Sequence, residues 1–159
     1  MKTALARLFR ALPSPLTRWV VRHLNTCFNI SVVGVITSAD GRVLVLRHVF
    51  RRRYQWGLPA GFLAAGETPE AAMIREAHEE TGLAITVERT LAVHPVQPRH
   101  MEVVVIGRAD ANQPFRPSAE IFEGAFFAPD ALPAEMMPSH VGLLRAALAT
   151  RGPSLTTDV

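Results

Sequence analysis

Residues 61–83, GFLAAGETPEAAMIREAHEETGL, constrain this chain more than any other stretch. Thr68 is placed to cap a helix, and Pro69 falls at its first position, where a missing N–H and a fixed φ are tolerated. Thr81-Gly82 predicts the end, because glycine readily takes the left-handed conformation that stops a helix. Between these stops lie Glu76, Glu79 and Glu80. At about 100° per residue the three carboxylates share one helix face. Like charges at that spacing repel, and hard divalent cations with oxygen ligands are natural partners for them. The triplet taken alone also fits a solvated face, since Glu is a good helix former. The flanks narrow the choice. Trp56 to Gly61 reads as a short strand or loop, and Phe62 to Gly66 as a tight connection, so the acids sit on a loop–helix–loop with fixed ends.

The stretch resembles the Nudix box, written GX5EX7REUXEEXGU with U an aliphatic residue. Gly61, Glu67, Arg75, Glu76, Glu79, Glu80 and Gly82 occupy all seven fixed positions; Ala77 is small for its aliphatic one. At ordinary residue frequencies such a match arises by chance about once in 10^8 starting points. The resemblance implies an α/β (α+β) fold, a mixed β-sheet sandwiched between α-helices. It also implies hydrolysis of a nucleoside diphosphate linked to another moiety, with Mg²⁺ or Mn²⁺ as cofactor. On that basis Glu79 and Glu80 are metal ligands, Glu76 is a ligand or orients the attacking water, and the carbonyl of Ala60 is a further ligand. Glu67 and Arg75 are expected to form an ion pair holding loop to helix, with Gly61 and Gly82 as structural support. The family often recruits one more carboxylate from outside the box. Glu120 and Glu123 are the candidates, Glu120 is favoured, and Glu102 is a weaker third.

Substrate recognition is less well marked. Arg51, Arg52 and Arg53 precede the box and could bind phosphate, or could form a solvated loop. Tyr54 and Phe115 could stack on a base; Trp56 reads first as core. Pro98, 15 residues beyond Leu83, and the Pro59-Ala60-Gly61 lead into the box are similar to the ADP-ribose-cleaving branch of the family. An ADP-ribose or nucleotide-sugar substrate is therefore favoured. A nucleoside triphosphate pyrophosphohydrolase and a non-catalytic nucleotide-sensing module are the alternatives. A third class is a lipid-surface or nucleic-acid-binding protein built on the basic front half. A basic pI of about 10.0 alone argues poorly for nucleic acid, because no reading motif accompanies it.

At 159 residues the chain is expected to form one principal domain over residues 27–150, with a tail at 151–159. Cys27 is the sole cysteine, which is compatible with a reducing, cytoplasmic setting. Residues 1–53 hold ten of the 17 basic side chains and a single acid, Asp40. Within residues 1–26, Leu5, Leu8, Phe9 and Leu12, then Leu16, Trp19, Val20 and Leu24, fall at helical spacing around Pro13-Ser14-Pro15. Lys2, Arg7, Arg10, Arg18 and Arg22 stud the polar sides. The segment reads as two short helices docked on the domain or a partner subunit in a homodimer, as a membrane-surface element, or as a targeting segment. Beyond it, residues 28–37 and 42–48 predict strands joined by a turn at Ser38–Gly41. Residues 85–94, 101–109 and 121–127 predict further strands, 94–100 a proline-rich loop, and Ser139 starts a closing helix.

Overall fold

The computed structural model describes residues 13–25 and 27–150. The first of the two N-terminal helices expected from the sequence, and the tail at 151–159, lie outside the described residues. Strands β1 (Asn29–Thr37), β2 (Val43–His48), β3 (Trp56–Gly57), β4 (Ala60–Phe62), β5 (Ile85–Gln97), β6 (His100–Ala109) and β7 (Ile121–Phe127) form one mixed seven-stranded sheet. Its order is β3-β2-β1-β6-β5, with β4 added to β1 and β7 to β2. β1 and β6 run parallel, with Asn29 beside His100 and Thr37 beside Arg108.

The central strands are apolar at nearly every position because both faces of the sheet are covered. Val32, Ile36, Leu44, Leu46, Val103 and Val105 face helix α2 (Pro69–Thr81), which contributes Ala72, Met73 and Ala77. Val33, Val35, Val43, Val45, Val104 and Ile106 point the other way, onto Leu144 and Ala147 of helix α3 (Pro138–Ala149). Strand alternation alone sorts these residues into two cores. Gly34 lets α2 lie close to β1, since a Cβ there would come within 2.4 Å of Met73 Sδ. The small Ala77, with no exposed surface, belongs to the same contact layer.

Three local readings change. The segment expected as a proline-rich loop is largely strand: β5 continues to Gln97, and only Pro98-Arg99 form the turn into β6. Pro95 is tolerated because β5 is an edge strand whose pairing is already irregular there. Arg99 takes the positive φ of 67° that closes the turn. Helix α3 begins at Pro138 rather than Ser139, with proline supplying the first-turn φ. Helix α1 (Ser14–Leu24) forms as expected, but Leu16, Trp19 and Leu24 are not buried on the domain. Leu16 is 42% exposed and Leu24 is 80% exposed. Among the described residues, no helix is long and apolar enough to cross a membrane.

Candidate active site

The ends of α2 are fixed as the sequence dictates. Thr68 Oγ1 accepts the Ala71 N–H at 3.2 Å, and Gly82 terminates the helix at φ 73°. Two further bonds tie the following loop to the last turn: Arg116 N–H donates to the Thr81 carbonyl at 2.8 Å and Ser118 N–H to that of Glu80 at 3.1 Å. The loop leading to β7 is thereby held over the helix end that carries the acids.

Between this loop, α2 and β4 lies a cavity of about 620 Å³ lined by Ala60, Gly61, Phe62, Glu76, Glu79, Glu80, Ser118, Ala119 and Glu120. Four carboxylates from two separate segments thus face one space. Gly61 makes the approach of helix to strand feasible: a Cβ at this position would sit 1.9 Å from Glu76 Cδ. Glu123, the other candidate acid, is elsewhere. It pairs across the β2–β7 ladder with Arg47, at 3.1 Å. Glu102 is paired with His94 at 3.3 Å on the β5–β6 side.

Arg75 organises the mouth of the cavity. Its Nε and Nη2 donate to the two oxygens of Glu67, each at 2.9 Å. Its Nη1 donates to Glu76 at 2.8 Å and to Glu79 at 3.2 Å, and Nη2 also reaches the Phe62 carbonyl at 3.0 Å. Glu67 accepts in addition the Ala64 N–H at 2.9 Å. These hydrogen bonds, that of Arg75 foremost, hold the Glu67 carboxyl down at about 2. Hydrogen bonds to Glu67, then Glu76, push the Arg75 guanidinium above its ordinary range.

Glu80 is in the opposite situation. It is only 8% exposed, and its Oε2 is buried without a hydrogen-bond partner. Burial, followed by repulsion from Glu76, pushes its carboxyl up to about 8, against a backbone hydrogen bond from Ala60 and the attraction of Arg51. A buried, partly unsatisfied carboxylate beside two others is the donor chemistry of an oxygen-ligated divalent cation. Among the described residues no three acids are drawn into a closed cage; Arg75 supplies the countercharge at Glu76 and Glu79.

The residues expected at the substrate are dispersed. Arg51 is not in a solvated loop. Its guanidinium occupies the notch left by Gly57, where a Cβ would meet Arg51 Nη1 at 2.2 Å and His140 Nδ1 at 2.9 Å. Arg51 Nη1 and His48 Nε2 are buried without hydrogen-bond partners. Burial depresses the Arg51 guanidinium, holds His48 at about 4, and holds His140 at about 3. His140 Nδ1 accepts the Leu58 N–H at 2.9 Å, which fixes the strand entering the box. No spacing in the sequence links positions 48, 51, 57 and 140, so this cluster was not legible there. Arg53 lies over the exposed Tyr54 ring at 5.7 Å, and neither lines the carboxylate cavity. Phe115 packs on the α2-side core against Gly124 and lines a different cleft. Trp56 packs edge-on against Phe127 at 5.3 Å, in the α3-side core. Phe62 and Ser118 line the cavity although nothing in the sequence singled them out.

Comparison with known proteins identifies the fold and the family. A MutT-like protein of Streptomyces ambofaciens is 31% identical over 125 residues, covering 79% of this chain and 80% of the relative. The crystal structure of a NUDIX hydrolase from Nitrosomonas europaea superposes with a TM-score of 0.70 at 19% identity, covering 80% of this chain and 73% of that one. The crystal structure of a UDP-X diphosphatase gives 0.64 at 26% identity, over 89% of this chain and 74% of the other. Residues 28–147 match the NUDIX domain family. The chain therefore belongs to that family, whose members are pyrophosphohydrolases.

Proposed function

We propose that this chain is a Mg²⁺- or Mn²⁺-dependent hydrolase that cleaves the pyrophosphate linkage of a nucleoside diphosphate derivative of the ADP-ribose or nucleotide-sugar class. The observation that carries the reading is the convergence of Glu76, Glu79, Glu80 and Glu120 on one cavity, with Glu80 Oε2 buried and unpartnered. An anionic substrate would be repelled by four carboxylates alone, so the site calls for divalent cations between the two. The UDP-X diphosphatase neighbour and the Pro98 position support the substrate class.

Glu76, Glu79 and Glu80, with the Ala60 carbonyl, are the residues that would hold the cation. When bound, it supplies Lewis acidity and charge neutralisation to the pyrophosphate. The protein's own contributions are orientation and proton handling. Arg75 keeps Glu76 in place and ties the box loop to α2 through Glu67. Glu120, on the loop across the cavity from α2, is the base that takes the proton of the attacking water as the bridging P–O bond breaks. Glu80 must lose its proton to serve as a ligand, so cation uptake and proton release are linked.

The test is hydrolysis with Mg²⁺ across ADP-ribose, NADH, nucleotide sugars, dinucleoside polyphosphates and nucleoside triphosphates, for wild type and Glu80→Gln together. Turnover confined to nucleoside diphosphate derivatives, and reduced on the order of 10³-fold in the variant, is the expected result. Turnover of triphosphates alone would replace the substrate class. Equal rates for the two proteins would refute the site.

A further inference from the structure

We propose that helix α1 is a docking element for the surface of an anionic lipid bilayer. Leu16, Trp19 and Leu24 lie along one side of this helix at spacings that keep them together, and Arg18 lies on the opposite side. All three apolar residues are exposed, at 42, 57 and 80%. Lys2, Arg7, Arg10, Arg18 and Arg22 precede β1, and no acidic residue occurs before Asp40. A water-facing helix does not need that apolar side, and Leu16 and Leu24 are not covered by the domain.

The charge decides the partner. A basic helix carrying tryptophan and leucine, too short to span a bilayer, has the composition of an element lying in the plane of an anionic interface. Lipid adapts to a convex helix face, so no preformed groove is required. Phe28, just before β1, and Ile30 within it are exposed as well, and line a groove together with Phe62.

The test is flotation of the full chain with phosphatidylcholine vesicles, with and without phosphatidylglycerol. The chain is expected to float with the anionic vesicles at low salt and to be released at high salt. At about fivefold per basic side chain near such a surface, the charge reversal Arg18→Glu should weaken partitioning on the order of 25-fold, while Arg18→Lys retains it. Leu24→Glu should weaken it at least as much. Neither residue lines the cavity, so hydrolysis of a soluble nucleotide should be unchanged in both variants. Equal flotation with neutral vesicles, no flotation at low salt, or indifference to both substitutions would overturn the proposal. A dimer in sedimentation velocity that Leu24→Glu dissociates, with no vesicle binding, would assign the face to a second copy of the chain instead, as would capture by an acidic protein alone for that partner.

Discussion

Arg75 and Arg51 stand on either side of the same acid cluster and are treated in opposite ways by the fold. Arg75, at the cavity mouth, donates to Glu67, Glu76, Glu79 and the Phe62 carbonyl. Arg51, in the notch at Gly57, has a buried nitrogen with no partner and two histidines that burial holds neutral beside it. The network around Arg75 is satisfied and pre-positions Glu67, Glu76 and Glu79, while Glu80 Oε2 is left without a partner. The side near β3 and α3 buries Arg51 Nη1 and His48 Nε2 without partners, which raises the stakes of any change there. What separates the two is range in sequence: the first network closes within residues 61–80, and the second joins residues that are distant along the chain.

The sharpest way to break the box side is Gly61→Ala. The added Cβ would overlap Glu76 Cδ, so the helix or the side chain must move. Turnover should fall on the order of 10²-fold, because displacement of about 1 Å in a catalytic group has that effect. Stability should drop by about 1–3 kcal/mol. Steady-state kinetics and denaturant melts check both. Unchanged kinetics would mean that Glu76 is not required where it stands.

Arg75→Ala should come next, with a loss of about 1–3 kcal/mol as Glu67 and Glu76 lose their donor. Rate should fall with it. Lysine should not rescue, because one ammonium cannot reproduce the two-pronged contact with Glu67. A rate defect without any loss of stability would recast Arg75 as a substrate contact.

Glu80 sharpens the comparison through pH. In metal-free protein its carboxyl titrates at about 8, against an unfolded value of 4.5. Between those values the folded form holds a proton that the unfolded form has lost. Stability should therefore be greatest below pH 4.5 for this group and decline as pH rises toward 8, by roughly 3 kcal/mol at neutrality. Glu80→Gln should remove the decline, and added Mg²⁺ should reverse it in wild type. A flat wild-type profile would contradict the burial of this carboxyl.

On the other side, His140→Ala leaves the Leu58 N–H without its acceptor and should destabilise by about 1–3 kcal/mol. The sign with pH is opposite to that of Glu80. His140 and His48 are held down at about 3 and about 4, so the stability they give is complete above the ordinary value of 6.5 and is lost as pH falls toward those values. The variant should show a shallower acid limb in a pH-dependent melt. An unchanged limb would assign the acid sensitivity to other groups.

How far the sequence could be read follows the same division. The caps at Thr68 and Gly82, the three acids on one helix face, and the double-sided strands at 32–36, 43–46 and 103–106 are all local patterns, and local patterns survive without a fold. Which of Glu120 and Glu123 lines the cavity was not a local matter. It follows from the β2–β7 register that places Glu123 beside Arg47, and from Glu120 preceding the strand rather than lying within it. Arg51 read as a phosphate-binding or solvated residue and Phe115 as a base-stacking one because nothing near them in sequence announces Gly57, His140 or Gly124, the neighbours they pack against. The long β5 was hidden by its prolines, which an edge strand accommodates. In α1 the apolar pattern was legible, whereas its exposure could only come from the three-dimensional arrangement.

The proposed divalent-cation site consists of Glu76, Glu79, Glu80 and the Ala60 carbonyl. Electron paramagnetic resonance titration of Mn²⁺ tests it without reference to any substrate. Wild type and Glu123→Gln should bind Mn²⁺ alike, and Glu80→Gln should lose the site while keeping its circular dichroism spectrum. Mn²⁺ binding by Glu80→Gln with wild-type affinity, or its loss in Glu123→Gln, would contradict the account.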